Sequence, residues 1–357
     1  MKKIHISKRS KKILLIILMG VVFVNTVRVI PMKKDISANQ ENTVLYTTAN
    51  GLNTFPYIFG ERLYMYDIEK DKATLLKSCL EYYSVYELYY LTQNWLYVMQ
   101  DNTTSYYNRQ NIKNGKVNNW IPCDTREING RVYTEGLISI SEIIDEKEKL
   151  IFELDSKHPY TIDEYQIMND NLYVLTAHDN DPKGELYIKN LKTLKSKKRE
   201  LNTYYMGFNV VDNDNVILID TINGKVDKYN ITNKTLKKIA IFDKGKHAKG
   251  SIACYSSELR NNYLYFYNSM FAFYRLNIKT GQIKKLTEQL SEIDGEAETA
   301  MEVNYCKDYI ALEAEYDNDK FLYVYDYDGN LIKKKKLKKG VYWWKELFTD
   351  YLVLRLF

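Results

Sequence analysis

One short phrase recurs seven times along the 357-residue chain, and it constrains the fold more than any other feature. It runs apolar, polar, then Ile, Leu or Tyr, two or three turn residues, and an apolar, Lys-rich, apolar stretch. The copies centre on Ile68 (YDIEKDKATLL), Ile112 (QNIKNGKVNNW), Leu154 (FELDSKHPYTI), Leu191 (KNLKTLKSKK), Ile231 (YNITNKTLKKI), Ile278 (LNIKTGQIKKL) and Tyr327 (YDYDGNLIKKK). Successive centres lie 44, 42, 37, 40, 47 and 49 residues apart. Each phrase reads as strand, tight turn, strand.

A strand-built period of roughly 40–50 residues marks a β-propeller. The full unit is legible around Ile278: an alternating segment Ser251–Ser256, a turn at Asn261-Asn262, then Tyr263–Tyr267, Ala272–Ile278, a Lys-Thr-Gly turn and Gln282–Leu286. The next unit repeats it as Met301–Cys306, Tyr309–Tyr316, Phe321–Tyr327 and Leu331–Leu337. Second strands also stand out at Trp95–Met99, Leu172–Thr176 and Val216–Asp220, each preceded by the Asn or Asp that a hairpin turn favours. The 33 Tyr suit half-buried strands. Ile138–Leu154 can be scored as a helix, but its alternation and the repeat favour strands. The predicted fold class is therefore all-β: a seven-bladed propeller over residues 61–357, with six or eight blades as alternatives. The chain ends on Tyr351–Phe357, a second-type strand with no hairpin after it, and begins its repeats with a hairpin lacking inner strands. Pairing of the two ends would close the ring and remove an open edge. Residues 31–60 form a linker. Within it Asn42–Thr48 can supply a strand to the closing blade, an edge strand or a connector.

The first twelve residues carry six positive charges and no acid. The remaining 45 basic residues face 46 acidic ones, so the body is near neutral, which excludes a general nucleic-acid binder. Residues 13–24, ILLIILMGVVFV, are an unbroken apolar run, and with the softer Asn25–Ile30 the segment 13–30 reaches 18 residues. With the basic tail 1–12 held in the cytoplasm, this reads as one transmembrane helix acting as an anchor. A cleaved secretory signal is the alternative, with Ile36-Ser37-Ala38 a late cleavage site. Either way the propeller faces the extracytoplasmic side.

Chemistry-bearing motifs are scarce. There is no HExxH pair, no GxSxG elbow and no P-loop. Of four His, only His178 has a carboxylate neighbour, Asp179. Cys79, Cys123, Cys254 and Cys306 form no CxxC; buried free thiols are favoured over a Cys254–Cys306 bridge. Acidic turns such as Asp212-Asn213-Asp214 and Asp326–Asp328 lack the spacing of a calcium loop. No catalytic residue, metal site or cofactor is expected. The lysines that follow each turn, Lys333, Lys334, Lys335 and Lys336 above all, protect an exposed edge. They also offer a basic rim for anionic envelope polymers or lipid head groups. Tyr86, Tyr205, Trp343 and Trp344, near the axis, pack between blades or line a binding mouth.

The repeated hairpin and the terminal closure resemble extracytoplasmic propellers of the TolB-like and quinoprotein-like type, especially membrane-anchored ones of bacterial cell envelopes. The resemblance covers about residues 60–357 and concerns the repeat pattern alone. Lys279-Thr280-Gly281 resembles the quinoprotein docking turn, but the Trp expected after it occurs only at Trp120, in another copy. Tyr325-Asp326-Tyr327-Asp328-Gly329 does not match the sialidase box. The resemblance implies a non-enzymatic binding platform for an envelope protein or an anionic or glycan polymer. The alternative is an envelope glycan lyase or hydrolase using carboxylates and Tyr at the axial mouth, with Glu87, Glu164, Glu258, Glu302 and Glu346 as first-strand candidates.

Overall fold

The computed structural model describes Lys12 and residues 40–49, 61–78, 89–91, 95–99, 106–111, 117–122, 125–145, 147–155, 160–177, 183–220, 223–242, 257–267, 273–286, 301–316 and 319–337. The described residues form six four-stranded sheets and one three-stranded sheet, each a meander in chain order. Sheet I holds β1 (Thr43–Ala49), β2 (Glu61–Asp67) and β3 (Lys72–Ser78). Sheet II holds β4 (Tyr89–Leu91), β5 (Trp95–Met99), β6 (Tyr106–Asn111) and β7 (Val117–Pro122). Sheet III holds β8 (Thr125–Ile128), β9 (Arg131–Glu135), β10 (Ser139–Ile144) and β11 (Lys147–Glu153). Sheet IV holds β12 (Thr161–Met168), β13 (Asn171–Ala177), β14 (Gly184–Asn190) and β15 (Ser196–Leu201). Sheet V holds β16 (Gly207–Val210), β17 (Asn215–Asp220), β18 (Lys225–Asn230) and β19 (Thr235–Ile241). Sheet VI holds β20 (Ser257–Arg260), β21 (Tyr263–Tyr267), β22 (Phe273–Asn277) and β23 (Ile283–Lys285). Sheet VII holds β24 (Met301–Tyr305), β25 (Tyr309–Tyr316), β26 (Asp319–Asp326) and β27 (Leu331–Lys336).

The repeated phrase marks the turn between third and fourth strands, and local chemistry explains why. The residue before the centre is Asp67, Asn190, Asn230, Asn277 or Asp326. Its side-chain oxygen accepts main-chain N–H groups of its own turn, as from Lys70 to Asp67 (2.9 Å) and Asn233 to Asn230 (2.8 Å). Three residues after the centre the chain turns left-handed, at Asp71, Leu194, Lys234 and Gly281. The centre then donates its N–H to the residue that opens the second strand. Ile68 bonds to Asn42 (3.0 Å), Leu191 to Asp170 (2.8 Å), Ile231 to Asp214 (2.7 Å) and Ile278 to Asn262 (2.9 Å).

The Ile68–Asn42 bond and the pairing of β1 with β2 give Asn42–Thr48 its place in the sheet. β1 holds the second-strand place of sheet I, the place expected for Tyr351–Phe357. Residues 341–357 lie outside the described residues, and so do 13–30 and the acidic segment 292–300. One repeat copy is corrected. The phrase at Leu154 does not span two strands of one sheet; it connects β11 of sheet III to β12 of sheet IV. The hairpin of sheet III turns instead at Asp145, which is left-handed. Leu154 is preceded by Glu153, whose longer side chain does not make the turn that Asn or Asp makes. In sheet VI the first described strand is Ser257–Arg260; Ser251–Ser256 lies outside the described residues. Within Ile138–Leu154 lie the strands β10 and β11, as the alternation predicts.

Two compact units divide the chain. One comprises residues 1–123, 306–325 and 332–357, the other 124–305 and 326–331. In the second unit, successive sheets pack face to face. Between sheets IV and V lie Leu175, Leu186, Phe208 and Leu218; between V and VI lie Ile219, Val226, Phe266 and Leu276. Fully burying each such side chain contributes roughly 1.5–3 kcal/mol. First strands β12, β16 and β20 are neighbours. In the first unit, Val44, Tyr46, Tyr66 and Ile68 of sheet I pack on Ala311, Leu322, Val324 and Leu337 of sheet VII. Cys306 in this core is a buried thiol donating to the Thr43 carbonyl (3.6 Å).

Candidate functional site

The centres Ile68, Leu191, Ile231 and Ile278 spend their N–H groups inside their own sheets, which leaves their carbonyls for other partners. At three junctions a cation from the preceding sheet caps the carbonyl of a centre. Arg199 Nε of β15 donates to Ile231 O (3.3 Å). Arg275 Nη1 of β22 donates to Tyr327 O (2.9 Å), joined there by the Tyr265 hydroxyl (2.7 Å). Lys333 Nζ of β27 donates to Ile68 O (3.3 Å). A buried carbonyl without a donor costs free energy comparable to a lost hydrogen bond, so these cations hold sheet to sheet.

Two of the three caps are neutralised by the turn they reach. Arg275 pairs with Asp328 (2.9 Å), one residue after the centre. Lys333 (3.5 Å) and Lys335 (2.6 Å) converge on Asp71, three residues after the centre. Hydrogen bonds from Lys335 and then Tyr66 hold the Asp71 carboxyl well below the usual range. Both lysines also stand over the buried Tyr66 ring, at 5.8 and 4.5 Å. Burial first, and Asp71 second, push the Tyr66 hydroxyl up. The period of two on β27 sends Lys334 and Lys336 the other way, over Phe321 at 5.3 and 5.9 Å.

The third cap is different. The turn at Ile231 carries Lys234 where sheet I carries Asp71. Neither Arg199 nor Lys234 makes an ion pair among the described residues. A cavity of about 390 Å³ opens there, lined by Lys198, Arg199, Tyr205, Tyr229 and Lys234, with one acid, Glu200, among its walls. Its walls are held from behind. Lys198 pairs with Glu185 (2.8 Å), and Tyr187 donates to the same carboxylate (2.7 Å). The buried Tyr205 donates to Asp227 (2.8 Å), and Lys225 bridges Asp227 (3.1 Å) and the fully buried Asp220 (3.4 Å). Burial and then Asp227 raise the Tyr205 hydroxyl far above its ordinary value. Arg199 is fixed a second time by donating Nη1 to Lys198 O (3.0 Å). The arrangement is a preformed, open, basic cleft of the size that small ligands or polymer segments fill.

The first strands carry carboxylates of another kind. Glu164 Oε2 accepts the Phe208 N–H (3.1 Å), while Gln166 donates to Phe208 O (2.7 Å) and accepts from Val210 N–H (3.0 Å). These side chains thereby continue the ladder of β16 across to β12. Burial pushes Glu164 up to about 7 and Asp163 up to about 6; Asp163 accepts from Tyr204 (3.4 Å). Glu258 pairs with Arg260 (3.3 Å). Asp212 and Asp326 turn their carboxylates onto N–H groups of their own turns.

Of the residues singled out from sequence, the structure brings Lys333 and Lys335 together against Tyr66 and Asp71. Tyr205 belongs to the other unit and lines the cleft. Tyr86, Trp343 and Trp344 lie outside the described residues, as do Glu87, Glu346 and all four His. Arg199 and Lys234 were missed. The signal was present: among copies that form hairpins, only the one at Ile231 has a basic residue three places on.

No protein-family model and no curated protein matches the chain. Solved structures do. A candidate 6-phosphogluconolactonase from Bacteroides uniformis aligns with 84% of this chain and 97% of its own at 14% identity, with a TM-score of 0.51. A puromycin-hydrolyzing peptidase from Mycobacterium tuberculosis aligns with 88% of this chain and 53% of its own at 10% identity, with a TM-score of 0.55. At such identities the likeness concerns fold alone. With the repeated four-stranded sheets, it shows an all-β, propeller-like architecture.

Proposed function

We propose that this chain is a seven-bladed propeller of the TolB-like type, anchored in the cell membrane by residues 13–30. It works without catalysis, as an extracytoplasmic platform that binds an anionic protein or polymer of the envelope. Sheet I as a seventh blade supports the blade count. The basic tail and apolar segment support the anchor; among the described residues no helix is long and apolar enough to cross a membrane. One observation carries the binding reading: the open cleft at Arg199 and Lys234, where two cations lack the acidic partner that the sister junctions supply.

The test is co-sedimentation of the detergent-solubilised full chain with envelope fragments at low and high salt, with released saccharides assayed in parallel. Retention that weakens with salt, without release, is expected. No retention at either salt concentration would remove the reading. A glycan lyase or hydrolase is favoured by one observation, the Glu164 carboxyl poised at about 7. Against it, that carboxylate already serves Phe208 and Gln166. Saccharide release abolished in E164Q would put the enzyme reading first.

A further inference from the structure

We infer that the cleft beside Arg199 is a phosphoryl-binding subsite, its ligand a phosphate ester of an anionic polymer. The inference deepens the platform reading and rests on it for the identity of the polymer.

The repeat supplies its own controls. Three junctions use the same device, a cation reaching the carbonyl of the next turn. In two of them that turn returns an aspartate, and the cation is consumed. In the third the turn returns Lys234, exposed, and a cavity stands where the ion pair would be. The cleft also carries Glu200, which forms no ion pair with Arg199 or Lys234 among the described residues, so its lining stays net basic and favours an anion that can join the two cations.

The donors select the anion. Arg199 is oriented by Ile231 O and Lys198 O, which use its Nε–H and one Nη1–H. A guanidinium has five N–H donors, so the remaining three form an open fork suited to two oxygens at once. Lys234 offers a point charge from a different element. A carboxylate presents both oxygens in one plane and would satisfy the fork alone. A tetrahedral phosphoryl group has oxygens to spare, and can take the fork with two and the ammonium with a third. The volume of about 390 Å³ exceeds what the phosphoryl group needs, which leaves room for the residue that carries it.

The experiment is calorimetric titration of the detergent-solubilised full chain with inorganic pyrophosphate. Vesicles rich in anionic phospholipid and polyglutamate form the comparison arms. Pyrophosphate should bind saturably. R199K, which keeps the charge but loses the fork, should weaken it about tenfold, the cost of one charge-assisted hydrogen bond. K234D, which restores the acid that sheet I carries, should abolish it. Asp71 shows that this turn geometry accepts aspartate, so K234D is expected to fold, and urea unfolding verifies that. Equal binding by R199K, or equal binding of polyglutamate, would reduce the cleft to diffuse charge and overturn the proposal. Preference for vesicles over pyrophosphate, lost in K234D, would keep the phosphoryl chemistry and assign it to lipid. Envelope fragments retained equally by K234D would leave the platform and remove the subsite. Pyrophosphate bound while fragments are not would do the reverse.

Discussion

The junction of sheets VII and I and the junction of sheets IV and V use one device and end in opposite electrostatic states. In the first, Lys333 caps Ile68, Lys335 joins it, Asp71 pairs with both, and the Tyr66 ring lies beneath them. In the second, Arg199 caps Ile231 and meets Lys234 across a cleft. The sealed junction packs Tyr66 and Ile68 against sheet VII, and no ligand is needed to settle its charge. The open one keeps a comparable core beneath, with Tyr205 and Phe208 fully buried, but leaves its cations for something outside the chain. The structural role of the cation is what the junctions share; the proposed binding role rests on the turn at Ile231 carrying Lys234 where sheet I carries Asp71.

The largest expected effect comes from removing the floor of the sealed junction. Y66A deletes a fully buried ring and should cost about 3–5 kcal/mol in urea unfolding. A loss no greater than that of a surface substitution would mean that the junction is not a packed interface. Next comes D71K, which makes the sealed junction imitate the open one with three lysines. Its urea midpoint should fall, and high salt should recover part of the loss; a midpoint indifferent to salt would count against charge as the seal.

Titration separates the two regions next. Glu164, beside the open junction, is raised by burial to about 7, so the fold favours its protonated form. Its contribution is fully present below the ordinary carboxylate range and is lost as pH rises through about 7, and Asp163 acts with the same sign below it. E164Q keeps the acceptor for Phe208 and should be the more stable form at pH 8 by roughly 1–3 kcal/mol. Asp71, held low, works in reverse: its stabilisation persists at neutral pH and is lost only in strong acid. A wild-type stability that climbs between pH 5 and 8, with no change in E164Q, would reject this assignment. The smallest effect belongs to K234G. Lysine at a left-handed position is strained and glycine is not, so the variant should gain about 1 kcal/mol while losing affinity for pyrophosphate.

Strands, turns and their spacing were legible because their causes are local. Short apolar runs preceded by Asn announce β5, β13 and β17, and Asn or Asp before the centre makes the turn where the structure describes it. The same rule exposes the misread copy at Leu154, preceded by Glu153. The lysine runs were legible as a pattern, but their division of labour was not. Whether a lysine guards an edge or caps a carbonyl depends on what the neighbouring sheet brings opposite it.

The chain's order of residues by itself determined a repeating all-β architecture, because period-two burial and turn chemistry act within a few residues. Only the tertiary structure decided which charges meet. Arg199 reaches a carbonyl 32 residues away and Lys333 one 265 residues away, and no local rule couples positions so distant. The charge left over at Lys234 is a property of that pairing, and it exists only once the sheets have packed.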